Sequence, residues 1–270
     1  STQAKTLFPY TTLFRSGMGV VYRAIDRRAV PGASAAVAVK VTSTEGQAAE
    51  RFSREVRLLS ELRHPGIVAY LDEGTLPGGR PYLVMEWLDG VDLSRRLRHG
   101  PLSLGDARAL LARAAGALGF AHSRGVVHRD LKPHNLFLRG GEPADVVLLD
   151  FGIARQDEGP AMTRTGMILG TPSYIAPEQI MSSRDVGPPA DLFSLGCVIY
   201  HCLVGTPPFI AQYPDQVLTK IVTQDAPPLR AACPEASAGL ERLLARMLCR
   251  DPAGRPPDGA ALLSEIERLD

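Results

Sequence analysis

Hydrophobic residues follow two different periods along the chain. Short runs such as Val37–Val41 alternate apolar residues with small or polar ones and are rich in β-branched side chains, which is typical of strands. Other stretches, such as 103–124, place apolar residues at every third or fourth position, which predicts helices. We therefore expect a chain that contains both strands and helices.

The same periods predict the individual elements. A helix over 47–62 carries the apolar stripe Phe52, Val56, Leu59 and Leu62, with Glu55 beside that stripe. Strands are predicted at 37–41, at 81–87 and at 146–149, and one more begins within 64–68 and continues over 70–73. Further helices are predicted at 93–98, 103–124, 191–200 and 215–223.

Length, charge and cysteine content narrow the class of protein. A chain of 270 residues exceeds the usual size of a single core, which favours two lobes or a pair of small domains. The 30 Lys and Arg residues nearly balance the 29 Asp and Glu residues, so neither nucleic acid nor a membrane surface is an expected partner. Cys197, Cys202, Cys233 and Cys249 have no metal-ligand spacing and are expected to be reduced packing residues of a cytoplasmic protein. The longest apolar run, Leu195–Val204, is too short to span a bilayer, so no membrane contact is expected in this segment.

The stretch His128–Asn135 is too polar for a core and carries three side chains suited to one kind of chemistry. Asp130 can accept a proton from a hydroxyl group, Lys132 can neutralise a phosphate, and Asn135 can hold a hard metal ion through its side-chain oxygen. Together these residues indicate phosphoryl transfer. The alternative is a polar turn between two strands.

This stretch resembles the catalytic loop of protein kinases, and other kinase-like motifs flank it in the matching order. Lys40 lies in a strand similar to the one that carries the phosphate-binding lysine. Asp150-Phe151-Gly152 resembles the metal-binding element, and Gly170–Glu178 resembles the end of the activation segment. The six residues from Asp150, which read DFGIAR, favour the bacterial eukaryotic-like serine/threonine protein kinases.

The resemblance implies an α+β, bilobal fold. A small antiparallel-sheet lobe with one helix would span residues 17–88, a larger and mainly helical lobe would span residues 89–270, and ATP would bind between them.

The resemblance also implies a role for each motif residue. Asp130 would deprotonate the acceptor hydroxyl, Lys132 would offset charge on the transferred phosphoryl group, and Lys40 would bind the ATP phosphates while pairing with Glu55. Asn135 and Asp150 would hold two Mg²⁺ ions, for which Mn²⁺ can substitute. The implied nucleotide-binding residues are Gly17, Gly19, Val20, Ala38, Lys40, Met85, Glu86, Leu88, Asn135 and Asp150.

Substrate and regulation are implied in the same way. Pro133 after Lys132 resembles the loop of kinases that act on serine and threonine, so the expected partner is a protein with such an acceptor. Thr171 would lie near Asp130, and Glu178 would pair with Arg255. Phosphates on Thr163 or Thr165 would draw in Arg129 and order the activation loop, through autophosphorylation between self-associating kinase domains. The alternative is that both threonines are ordinary loop residues.

Residues 1–16 do not fit the resemblance. In the glycine-rich loop that grips phosphates, Gly17 and Gly19 are preceded by Phe14 and Ser16 where two further glycines are expected. Residues 8–16 resemble a translated sequencing adapter, which favours a non-native segment. A genuine but divergent first strand is the alternative, and it would favour a pseudokinase or nucleotide-binding scaffold over an enzyme.

Two residues outside the motifs complete the expectations. Asp191 begins a nearly all-apolar stretch, where its carboxylate can cap backbone N–H groups or brace the catalytic loop. His122 has no partner that the sequence identifies and is expected to be structural or exposed.

Overall fold

A computed structural model describes residues 7–16, 19–26, 35–42, 59–77, 79–151, 172–181 and 186–269, the first of these ranges by its backbone alone. The chain divides into two compact units, Ser1–Asp89 and Gly90–Asp270. The described part of the first unit is mainly sheet and that of the second mainly helix, which confirms the predicted α+β class.

The first unit is built on a five-stranded antiparallel sheet in the order β1-β2-β3-β5-β4. Its strands are β1 (Leu7–Ser16), β2 (Gly19–Asp26), β3 (Ala36–Thr42), β4 (Tyr70–Thr75) and β5 (Pro81–Glu86). β1 pairs with β2 with two register irregularities. This pairing does not test whether residues 8–16 are native, so their origin stays a hypothesis.

Side chains along β3 alternate between a buried face of this sheet and a less buried face. Val37 and Val39 are buried with Ala24, Tyr82 and Val84 in one apolar cluster. Because side chains alternate along a strand, Ala38 and Lys40 lie on the opposite face. The predicted strand is therefore confirmed, and Lys40 projects from its less buried side.

The second unit combines a three-stranded antiparallel sheet with a set of helices. Its strands are β6 (Gly90–Asp92), β7 (Leu136–Arg139) and β8 (Val146–Leu148). The described helices are α1 (Leu93–Leu97), α2 (Leu104–His122), α3 (Pro177–Met181), α4 (Pro188–Val204), α5 (Pro214–Thr223), α6 (Leu229–Ala232), α7 (Ala238–Met247) and α8 (Gly259–Ile266).

Helix α4 is buried around nearly its whole circumference, as the apolar sequence predicts. It ends at Gly205, which has a left-handed conformation (φ 85°) that favours glycine. Asp191 and Ser194 are polar residues buried within it. A buried carboxylate must be hydrogen-bonded, which directs attention to the partners of Asp191.

Helices α2 and α8 cross at a pair of glycines. A Cβ atom added at Gly259 would collide with the backbone of Gly119 and Ala115, so only glycine permits this crossing. The close approach places the start of α8 against the end of α2, where His122 lies.

The structure also bears on the cysteines and on the question of a membrane-spanning helix. All four cysteines are free; Cys249 is partly exposed and the other three are buried. Among the described residues, no helix is long and apolar enough to cross a membrane.

Candidate active site

The backbone of residues 128–135, called the catalytic loop below after the motif that it resembles, is held by Asp191 on α4. The Oδ2 atom of Asp191 accepts a hydrogen bond from the backbone N–H of His128 at 2.7 Å, and Oδ1 accepts one from Arg129 at 2.8 Å. Asp191 is the fourth residue of α4 and not its N-cap, which is Gly187. The expectation that it braces the loop is therefore confirmed.

His122 is the third partner of Asp191, so of the two expectations for this residue, structural or exposed, the structural one is confirmed. Its Nε2 lies 2.9 Å from Asp191 Oδ2, and both side chains are almost completely buried. Its Nδ1 accepts a hydrogen bond from the Gly259 backbone N–H at 3.2 Å, so the proton must reside on Nε2. The sequence could not show this partner because the two residues are 69 positions apart.

His128 uses both of its ring nitrogens inside the protein. Nε2 donates to the Leu149 carbonyl at 2.8 Å, while Nδ1 accepts from the Asp130 N–H at 3.3 Å. Burial lowers the pKa of His128 below its usual value, which favours the neutral ring that this pattern requires. The ring also packs against Phe151, with centroids 4.5 Å apart. His128 therefore ties the loop to the segment that carries Asp150.

The side chains of Lys132 and Asn135 both bind the carboxylate of Asp130. Lys132 Nζ donates to Asp130 Oδ2 at 2.8 Å, and Asn135 Nδ2 donates to the same oxygen at 3.1 Å and to the Asp130 carbonyl at 2.8 Å. The Asp130 side chain is mostly buried, whereas that of Lys132 is one-third exposed. The arrangement fixes the orientation of Asp130 and places a cation beside it, as general-base catalysis near a phosphate requires.

Asn135 and Asp150 are brought close by the backbone. The Leu149 N–H donates to the Asn135 carbonyl at 2.9 Å, so Asp150 follows directly after that contact. Asp150 has a left-handed backbone (φ 50°), which is uncommon outside glycine and typical of functional positions.

This pair fits a magnesium ion. Asn135 uses its amide nitrogen to bind Asp130, which leaves the side-chain oxygen as the donor for a hard cation. Magnesium prefers one or two protein carboxylates with phosphate oxygens completing its shell. The described residues contain no cluster of three or more His, Cys, Asp or Glu side chains able to hold a metal ion by themselves.

In the first unit, the strand register separates the predicted nucleotide residues. Ala38 pairs with Met85 on β5, and Lys40 pairs with Val21 on β2, so these side chains share one face. Val20 pairs with Val41 and lies on the opposite face. The predicted nucleotide contact Val20 therefore does not share a face with Ala38 and Lys40, whereas Val21 does, because neighbouring side chains on a strand point to opposite faces.

The strand β5 leads into the predicted adenine-binding segment. The Glu86 N–H donates to the Ala69 carbonyl, and the Glu86 carboxylate accepts from the Ala69 N–H, both at 2.9 Å. The Glu86 N–H is thus used by Ala69, so an N–H donor for a ligand must come from another residue such as Leu88.

The side chain of Trp87 is also fixed. Its indole N–H donates to Asp89 at 2.8 Å, and the Arg23 guanidinium lies 4.7 Å from the ring centroid. It is the only tryptophan of the chain, so its fluorescence reports on this segment alone.

Five predicted site residues lie outside the described residues. They are Gly17, Glu55, Thr163, Thr165 and Thr171. The described Gly19 has φ 147°, and a Cβ there would collide with the Val41 carbonyl, so this position requires glycine.

Comparison with known proteins decides the family. The family model of the protein kinase domain matches residues 13–264. The chain belongs to the protein kinase domain family. Its relatives include the serine/threonine-protein kinase pkn3 of Myxococcus xanthus, which is 36% identical over 94% of this chain and 48% of its own length. PknB of Mycobacterium tuberculosis is 38% identical over 81% of this chain and 36% of its own length. The chain thus spans less than half the length of these relatives.

Solved kinase structures agree with this assignment. The Mycobacterium tuberculosis PknI kinase domain superimposes with a TM-score of 0.73 and 29% identity, over 97% of this chain and 95% of that one. Rad53 residues 1–466 in complex with AMP-PNP give a TM-score of 0.79 and 26% identity, over 97% and 65%. The predicted kinase fold is confirmed.

One long-range ion pair of the kinase fold was predicted and is present. Arg255 donates to both carboxylate oxygens of Glu178, at 2.7 and 3.0 Å, and its side chain is fully buried. The same guanidinium also donates to three backbone carbonyls, those of Cys249, Arg250 and Pro189. Arg255 thus ties the start of α3 to α4 and to the loop after α7.

We expect Arg255→Lys to lower the free energy of unfolding by about 2 kcal/mol, because an ammonium group cannot reproduce this fork of donors and leaves buried acceptors unpaired. Urea unfolding followed by circular dichroism measures the change. Arg246→Lys is the control, since Arg246 pairs with Glu265 at the surface, and it should stay within about 0.5 kcal/mol of the parent. Equal midpoints for the parent and Arg255→Lys would contradict the expectation.

Proposed function

We propose that the chain is an ATP-dependent serine/threonine protein kinase, which transfers the γ-phosphoryl group of Mg-ATP to a protein hydroxyl. The observation that carries the proposal is the convergence of Lys132 and Asn135 on the Asp130 carboxylate. A polar turn between two strands would not need a buried brace such as Asp191 to fix its backbone.

Within the second unit, each residue has a distinct task. Asp130 would accept the proton of the acceptor hydroxyl, and Lys132 would counter the negative charge that develops beside it. Asn135 and Asp150 would hold magnesium, which would offset the negative charge of the phosphates. The left-handed backbone at Asp150 sets the direction of its carboxylate.

Within the first unit, the nucleotide would be held by one face of the sheet. The side chains that would contact the adenine are those of Ala38, Met85 and Val21. Lys40 would bind the phosphates of ATP and pair with Glu55. The Glu86 carbonyl and a Leu88 backbone group would bond the adenine edge, and Gly17 and Gly19 would approach the phosphates. Val21 replaces Val20 in this set because of the strand register.

The acceptor is proposed to be a protein serine or threonine. Both relatives described above are named serine/threonine-protein kinases. Pro133 begins the turn that places Asn135, and the segment before α3 would supply a platform for the substrate polypeptide, with Thr171 near Asp130.

A nucleotide-binding scaffold is the competing function, favoured by Phe14 and Ser16 in place of loop glycines. The test has two measurements: Trp87 fluorescence with added Mg-ATP reports binding, and [γ-³²P]ATP with casein reports transfer. Binding together with transfer supports the kinase. Binding without transfer supports the scaffold.

We also propose activation by autophosphorylation of Thr163 or Thr165, with Arg129 binding the phosphate. Thr163→Ala with Thr165→Ala is expected to lower the rate after preincubation with Mg-ATP by about tenfold, because the charge-assisted contacts to Arg129 cannot form. Phosphopeptide mass spectrometry locates the sites in the parent.

The matched control replaces Thr219 and Thr223 by Ala. Both are exposed on α5 and donate only to carbonyls of their own helix. Full activity in the Thr163, Thr165 double variant would argue against the proposal, as would phosphate found only at other positions.

A further inference from the structure

Gln179 on α3 makes two hydrogen bonds that point to different parts of the second unit. Its Oε1 accepts from the Ala176 N–H at 3.1 Å, and its Nε2 donates to the Arg129 carbonyl at 2.9 Å. The partners fix the amide orientation, since one is an obligatory donor and the other an obligatory acceptor. One side chain therefore links the first turn of α3 to the residue that precedes Asp130.

Arg129 is a strained residue. Its φ of 62° lies in the left-handed region, which non-glycine residues occupy only when their surroundings hold them there. Its N–H is held by Asp191 at 2.8 Å and its carbonyl by Gln179 at 2.9 Å. These two contacts tie Arg129 to α4 and to α3, while the Asp130 carboxylate itself is held by Lys132 and Asn135.

The other partner of Gln179 belongs to a segment that is packed despite having little regular structure. Ser173 and Ala176 are buried, and the Ile175 N–H closes a turn onto the Pro172 carbonyl at 3.1 Å. The Tyr174 hydroxyl lies 2.7 Å from Nδ1 of His201 on α4. Residues 172–181, called the acceptor segment below, are thus attached to α4 through Tyr174 and to the catalytic loop through Gln179.

We propose that Gln179 is a positioning residue for the polypeptide acceptor, which sets the acceptor segment in register with Asp130. The inference rests on the proposed kinase function, in which this segment supports the substrate. A single amide side chain then controls the alignment of two elements that the sequence separates by 50 positions. Gln179 does not itself touch the reacting atoms.

Three variants test the inference. Gln179→Leu removes both hydrogen bonds, and Gln179→Glu retains an acceptor for Ala176 but has no donor for the Arg129 carbonyl when ionised. Gln224→Leu makes the same change as the first at an exposed residue after α5 and serves as the matched control.

The kinetic readout separates acceptor positioning from general damage. For Gln179→Leu we expect the KM of a serine peptide to rise about tenfold, because the Ala176 N–H and the Arg129 carbonyl both lose their side-chain partner. The KM for ATP and the rate of ATP hydrolysis by water should stay within about twofold, since neither uses the acceptor segment. Gln179→Glu should resemble Gln179→Leu, and Gln224→Leu should resemble the parent. Equal losses in peptide transfer and ATP hydrolysis would overturn the acceptor role.

Hydrogen exchange gives a readout that does not depend on activity. In Gln179→Leu, peptides covering the catalytic loop and the acceptor segment should both exchange faster, while peptides from α7 and α8 should not change. Faster exchange in the acceptor segment alone would overturn the coupling. A parent chain without any phosphate transfer would instead refute the proposed kinase function and the acceptor role with it. An active parent with kinetically silent Gln179 variants would refute only this inference.

Discussion

Asp130→Asn is expected to reduce phosphate transfer to a protein acceptor by about 10²–10⁴-fold, because an amide cannot accept the proton of the acceptor hydroxyl. Asn at this position still fills the space and can still bond Lys132 and Asn135 in part, so the loop should remain folded. ATP binding, followed by Trp87 fluorescence, should change by less than about twofold since Asp130 is not a proposed nucleotide ligand. Initial rates with [γ-³²P]ATP measure the loss.

Asp145→Asn is the matched control for that experiment. Asp145 is partly exposed and pairs with Arg113 at 3.0 Å and with Arg139 at 3.7 Å, neither of which belongs to the catalytic loop. The same chemical change there should leave the transfer rate within about twofold, as for most surface substitutions. An Asp130→Asn rate within about tenfold of the parent would remove Asp130 from the role of catalytic base.

Asp191→Asn is expected to have the largest effect on stability, with a loss of about 3 kcal/mol in the free energy of unfolding. The carboxylate accepts three hydrogen bonds, from His122 and from the backbone of His128 and Arg129. An amide NH₂ group would face at least one of these donors. His122 cannot relieve the conflict by moving its proton, because Nδ1 already accepts from Gly259.

Two measurements and a control define the outcome for Asp191. Urea unfolding should give a lower midpoint, and transfer activity should fall at least about tenfold in the folded protein, since the loop backbone loses its brace. Asp258→Asn is the control because Asp258 caps α8 by accepting from Ala261, a role that Asn fills equally well. Matching midpoints for the Asp191 and Asp258 variants would contradict the account.

Local patterns predicted the elements of the fold well where the period was strong. The apolar stretch of α4 and the alternation of β3 both identified the element and its buried residues. The predicted boundaries were less exact. The helix predicted at 191–200 spans Pro188–Val204 in the structure, because Pro188 and Pro189 begin it and Gly205 ends it.

The candidate site was predictable only where a motif fixes residues that are near in sequence. Asp130, Lys132 and Asn135 lie within six positions, and their contacts follow from that spacing. The pairing of Glu178 with Arg255 came from motif order rather than from any local pattern.

Other parts of the site depend on tertiary packing and gave no sequence signal. His122 contacts Asp191 near the point where α2 and α8 cross at Gly119 and Gly259. Val20 and Val21 are both apolar, so only the pairing register could distinguish them. The sequence does not distinguish Gln179 from other helix residues. Its importance depends on the hydrogen bond to the carbonyl of Arg129, a residue with a left-handed backbone, and only the structure shows that contact.

The central claim is that this chain moves the γ-phosphoryl group of ATP to serine or threonine hydroxyls through the Asp130 loop. The most direct measurement is phosphoamino-acid analysis of casein after incubation with the chain and Mg-[γ-³²P]ATP, alongside the Asp130→Asn variant. We predict labelled phosphoserine or phosphothreonine with the parent, no phosphotyrosine, and a label reduced at least about a hundredfold with the variant. Label that appears only as free phosphate, or equally with both proteins, would contradict the account.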